Sequence, residues 1–156
     1  MYCNSLLQSP MKRRYIEIIS SILILIFAYT GITKLIELER FRTIISLSPV
    51  ISWAANVISF VLPIIEIITA IVLVVPGSRK WGLFVSFFLM CLFTLYIGYM
   101  TFFAPDRSCS CGGVLENISW QGHLIFNVVV TGLTGTGIWL YNKDIIAINR
   151  ISRKPV

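Results

Sequence analysis

The 156-residue chain is 56% hydrophobic and only 13% charged, against the ~25% charge of a soluble domain, which excludes an ordinary water-soluble globule. Its 13 basic and 7 acidic residues give a net charge of +6, and one histidine is too few for a multi-histidine metal or haem site. The length suits a single domain. In chain order, a first membrane span is expected over residues 15–36, where IISSILILIFAYTGIT runs unbroken between Glu17 and Lys34. No small-x-small cleavage site follows it, so it reads as a retained helix and not a signal peptide. Residues 43–78 contain one charge, Glu66, and are too long for one crossing. The region divides into a short interfacial piece, residues 38–49, with Phe41, Ile44, Ile45 and Leu47 as its apolar side, and a helix over 52–75. Pro76 and Gly77 end that helix, since proline cannot continue the ladder and glycine turns the chain easily. Residues 81–105 and 117–142 lack Asp, Glu, Lys and Arg altogether, and each run exceeds the ~20 residues that cross a bilayer. They predict a third span at 81–103 and a fourth at 120–141, with Trp and Tyr at their ends as interfacial anchors.

The fold class expected is therefore all-α, an integral membrane four-helix bundle with a short interfacial segment after the first span. Placing both termini in the cytoplasm puts Lys12, Arg13, Arg14, Arg79, Lys80, Lys143, Arg150, Arg153 and Lys154 inside and Lys34, Arg40, Arg42 and Arg107 outside. That distribution obeys the positive-inside rule. It divides the chain into a cytoplasmic tail (residues 1–13), the membrane domain (14–142) and a basic cytoplasmic tail (143–156). Topology thus accounts for most of the basic excess, and no basic stripe interleaved with aromatics points to nucleic acid. The lipid bilayer is the first partner the sequence implies.

The same topology puts the connection between the third and fourth spans, APDRSCSCGGVLENISWQGH, outside the cytoplasm. Thiols there can form and exchange disulfides. Cys109 and Cys111 are two apart, so a bridge between them closes a very small ring near the lower limit of disulfide geometry. A strained, exposed bridge is of the exchangeable kind, and Gly112 and Gly113 leave room for a partner. A structural disulfide, two unpaired thiols, or zinc held by Cys109, Cys111 and His123 are the other readings of this pattern, the last short of a fourth ligand. His123, at the mouth of the fourth span, either lowers a nearby thiol's pKa or carries its proton, or is simply a polar residue at the headgroup level. Asn127, one turn further along the same face, either orients His123 or bonds a neighbouring helix.

Within the spans, Glu66 lies about halfway along the second, three residues after Pro63. An acidic group at that depth costs at least ~2.5 kcal/mol, so it must face the interior and find a partner. Lys34, near the end of the first span, is the nearest cation by depth and can bend its stem inward. A structural ion pair is the first reading; a proton relay, or a polar group at a quinone head, is the second. Cys91, mid-span, reads as packing. Thr131 to Gly137, TGLTGTG, reads as a small-residue stretch that lets the fourth helix approach its neighbours.

GITKL at the end of the first span, PIIEI in the second and CSCGG before the fourth together resemble the MauE-type methylamine-utilisation membrane proteins within the broader DoxX-like group, over residues 14–142. The first two elements carry the fold, and the Cys-x-Cys-Gly carries the MauE-type branch. The resemblance implies a bacterial inner-membrane protein that works with a periplasmic thioredoxin-fold partner in disulfide formation or electron transfer. It assigns Cys109 and Cys111 to the redox pair, and Lys34 and Glu66 to polar positions. His123 departs from it, standing where the family leads one to expect an arginine–asparagine pair. A membrane quinone, reached between helices near Glu66, His123 and Asn127, is the electron reservoir this reading allows. The rival reading is a non-catalytic assembly or anchoring subunit whose loop disulfide only shapes a docking surface.

Overall fold

In lipid, backbone N–H and C=O groups find no water, and uninterrupted apolar runs of this length satisfy them by helical ladders. The computed structural model describes residues 10–103 and 120–152, with side chains placed for Met11, Arg14 and residues 15–103 and 121–142. Among the described residues there is no strand. The elements are α1 (Pro10–Ile36), α2 (Leu38–Ser46), a short 3-10 turn (Ser52–Ala54), α3 (Ala55–Val74), α4 (Arg79–Phe103) and α5 (Trp120–Ser152). Four stretches are long and apolar enough to cross a membrane, Arg14–Ile36, Ser52–Val74, Arg79–Phe103 and Gln121–Asn142. They lie within one or two residues of the expected spans. Two helices run further than their membrane parts. Pro10 opens α1, a position where proline's missing N–H costs nothing, and α5 continues past Asn142 to Ser152.

The turn between α3 and α4 forms where Pro76 and Gly77 place it. Val75 is extended (φ −78°, ψ 114°), as a residue before proline prefers. Ser78 then closes the turn by donating its hydroxyl to the Val72 carbonyl at 3.0 Å. The helices alternate in direction. Their most extensive packing is within two pairs, α1 on α3 and α4 on α5, with lighter contact between α3 and α4 and between α1 and α5. The apolar core is built on Leu23 and Phe27 of α1, Leu73 of α3 and Leu83 and Met90 of α4, with Ser20, Glu66, Ser86 and Thr134 also fully buried. Leu25, Phe88, Leu95 and Ile125 are exposed, as suits side chains whose solvent is lipid.

Two glycines set how close the helices come. A Cβ on Gly31 of α1 would stand 2.9 Å from Ile67 Cγ1 and 3.1 Å from the Pro63 carbonyl oxygen of α3. A Cβ on Gly82 of α4 would lie 2.8 Å from Leu73 Cδ2 and 3.2 Å from Leu73 Cα. Of the α5 small-residue stretch, Gly135 meets Phe87 and Gly137 meets Ile19, whereas Gly132 opens to empty space. The close-approach reading thus holds for part of that stretch.

The interfacial piece forms as α2, with one correction to its apolar side. Ile45 is buried and Phe41 and Ile44 are partly buried, but Leu47 is 63% exposed and Ser48 is buried instead. At 100° per residue the stripe through 41, 44 and 45 continues to 48, and residue 47 lies about 120° away from it. Leu47 is also the residue that caps the helix.

Candidate functional site

One polar cluster gathers side chains from α1, α2, α3 and α4, and it starts from the Gly31 contact. With α1 and α3 this close, Lys34, one turn beyond Gly31, reaches back along α1 towards α3. Long helical side chains lean towards the N-terminus of their own helix. Its Nζ donates to Glu66 Oε1 at 2.6 Å. The Glu66 side chain is fully buried, and that of Lys34 is 11% exposed. The second carboxylate oxygen, Oε2, lies 3.2 Å from the Thr30 hydroxyl. Thr30 also lies 2.9 Å from the Ile26 carbonyl, so one hydroxyl proton serves two acceptors.

Two aromatic rings flank the ammonium. The Phe41 centroid, on α2, is 5.6 Å from Lys34 Nζ, and the Phe93 centroid, on α4, is 5.4 Å away. Both distances fall within the range at which a ring quadrupole attracts a cation. Lys34 is therefore held by a carboxylate from α3 and by ring faces from α2 and α4. The ion pair anticipated for Glu66 forms, with Lys34 as its partner.

His123 and Asn127 come from the fifth helix. Both are buried, His123 to 6% exposure and Asn127 to 4%. Asn127 donates from Nδ2 to the His123 carbonyl oxygen at 2.9 Å, so its amide serves its own helix. One turn on, the Thr131 hydroxyl donates to the Asn127 carbonyl oxygen at 2.7 Å and lies 3.1 Å from the Thr94 hydroxyl of α4. A polar ladder thus descends α5 and crosses to α4.

Cys109 and Cys111 lie outside the described residues. Their connection, residues 104–119, leaves α4 at Phe103 and enters α5 at Trp120. Lys34 stands in the last turn of α1, and His123 in the first turn of α5. Cys91 is a free, partly buried thiol. Among the described residues no three of His, Cys, Asp and Glu come together to hold a metal; the zinc reading, which rests on Cys109 and Cys111, falls outside them. Thr30, Gly31 and the two phenylalanines were not singled out from sequence as parts of this site. Only Gly31 carries a signal, a small residue one turn before a charged one.

Chemically, the cluster is a desolvated ion pair with two rings against the cation. It sits within a bundle that buries no other acid–base pair among the described residues. The family model described as methylamine utilisation protein MauE matches residues 12–140. No curated protein and no solved structure matches the chain.

Proposed function

Since the chain belongs to the methylamine utilisation protein MauE family and is a multi-pass membrane protein with four spans, we propose that it is an inner-membrane thiol–disulfide exchange protein. Cys109 and Cys111 are its redox pair, they face away from the cytoplasm, and a thioredoxin-fold protein is their partner. The observation that carries this reading is CSCGG in the connection between α4 and α5. That connection joins the bundle at the end where α5 carries the buried His123 and Asn127.

In the step proposed, one cysteine as thiolate attacks a sulfur of the partner's disulfide. A mixed disulfide forms and the partner's other sulfur leaves as a thiolate, which takes up a proton. The second cysteine of the pair then attacks the mixed disulfide through its own sulfur, releasing the partner reduced. Run in reverse, the same two exchanges oxidise the partner. His123 supports the step by holding a proton near the connection, a role a buried imidazole can fill only if the thiol chemistry reaches it.

The experiment is trapping. Cys109→Ser and Cys111→Ser are each expressed in membranes together with a thioredoxin-fold protein, and mixed disulfides are sought on non-reducing gels. One of the two variants is expected to accumulate the adduct and the double variant none. A properly inserted protein that gives no adduct from either single variant would leave the assembly-subunit reading in its place.

A further inference from the structure

Lys34 has three N–H donors, and one is used. It goes to Glu66 Oε1 at 2.6 Å; no other hydrogen-bond acceptor meets the ammonium among the described residues, and the two aromatic rings at 5.4 and 5.6 Å face it instead. A buried ammonium with unused donors is costly. A ring face offsets only part of a missing hydrogen bond. A molecule bearing a carbonyl oxygen on a flat ring would satisfy both features together, its oxygen accepting from Lys34 and its ring packing on Phe41 or Phe93. Lys34, Glu66 and Phe93 lie within stretches long and apolar enough to cross a membrane, so that molecule must be soluble in lipid.

We propose that Lys34, Glu66, Phe41 and Phe93 form the head-group site for a lipid-soluble quinone, which oxidises the Cys109–Cys111 dithiol. The inference rests on the exchange reading for the source of electrons, and on the geometry of the ion pair for the site. The balance is complete. The dithiol loses two S–H bonds and forms one S–S bond, and its two electrons and two protons convert the two quinone carbonyls to hydroxyls. Lys34 stabilises negative charge as it develops on the oxygen it binds. Glu66 holds Lys34 in place, and Thr30 holds Glu66. Flow then has a direction: from the partner's dithiol to the cysteine pair, and from the pair into the membrane.

The test uses the full-length protein in phosphatidylcholine nanodiscs and reads binding separately from turnover. An azido-substituted ubiquinone is photolysed in the sample and the labelled peptides are mapped by mass spectrometry, with decylubiquinone as competitor. Label is expected in α1, α3 and α4, and is expected to be displaced by decylubiquinone. The paired replacement Lys34→Met with Glu66→Leu exchanges the ion pair for an apolar contact, which a bundle tolerates better than either single change. It is expected to weaken decylubiquinone competition at least about tenfold, as loss of one hydrogen bond from a charged donor requires. Phe93→Leu, which leaves the ion pair in place, is expected to weaken it on the order of threefold, the scale of one lost ring contact.

Reduction of decylubiquinone by the dithiol form should fall in parallel. Label spread evenly over the lipid-facing helices, or competition unchanged in both variants, would overturn the site. If trapping fails but quinone still binds through Lys34, the exchange reading falls and the site stands. If trapping succeeds and the wild-type protein neither binds nor reduces decylubiquinone, the site falls and exchange stands.

Discussion

Removing one member of the Lys34–Glu66 pair is the sharpest perturbation of this bundle. With Lys34→Met, the fully buried Glu66 carboxylate keeps only the Thr30 hydroxyl at 3.2 Å. A charge left without its counter-ion in such a site costs about 3–5 kcal/mol, and at 11% and 0% exposure water does little to screen it. Glu66→Leu leaves the ammonium without its counter-ion, for a loss of about 3–5 kcal/mol. Lys34→Met with Glu66→Leu removes both charges and is expected to return to within about 1 kcal/mol of the parent. The three variants close a double-mutant cycle whose coupling exceeds ~3 kcal/mol. That magnitude decides the matter, because neutral hydrogen bonds between transmembrane helices average only ~0.6 kcal/mol. The assay is reversible unfolding in bicelles, followed by steric trapping or by titration with a denaturing detergent. A coupling below about 1 kcal/mol would mean that the pair is solvated or already neutral, and the account of the cluster given above would fail.

Further outcomes follow from the packing. Gly31→Val places a methyl-bearing carbon against Ile67 and the Pro63 carbonyl and should cost about 1–3 kcal/mol in the same unfolding assay. Gly132→Ala, with nothing within 4 Å, should stay within about 0.5 kcal/mol. Thr94→Val removes the 3.1 Å contact with Thr131 and is expected to cost about 0.6 kcal/mol, measured as its difference from the parent. Ile45→Gln on α2, where the side chain is buried, should destabilise by about 1–3 kcal/mol, whereas Leu47→Gln, at 63% exposure, should be nearly silent; equal effects would return Leu47 to the apolar side.

The four spans were legible because an uncharged run of bilayer length has few alternatives in any solvent. The Lys34–Glu66 pair was legible for a related reason. A carboxylate at mid-membrane depth must be compensated, and only Lys34 stood near it in depth. What surrounds the pair was not legible. Phe41 and Phe93 are separated from Lys34 by a helix boundary and by two further helices, and nothing in a phenylalanine distinguishes a ring against lipid from a ring against a cation. Their placement depends on how far α2 folds back and on the rotation of α4, which tertiary packing sets. Leu47 shows the opposite failure. Hydrophobicity alone assigned it inward, although the periodicity of Phe41, Ile44 and Ile45 already pointed to Ser48. Asn127 was expected to orient His123 or to bond a neighbouring helix, and its amide instead bonds the His123 main chain, as short polar side chains in helices often do with local carbonyls.

The pairing of α1 with α3 also bears on the order in which the chain is made. Lys34 and Glu66 are 32 residues apart, and both have left the ribosome before α4 does. Domains and their parts assemble from the N-terminus during synthesis, so the two costly charges can neutralise each other in the first helical pair. The third and fourth crossings, whose apolar runs carry no Asp, Glu, Lys or Arg, then enter the bilayer with nothing to compensate. A chain truncated after Ser78 and released from the ribosome should therefore already hold its first two spans stably in the membrane, and should lose that ability when Lys34 is replaced.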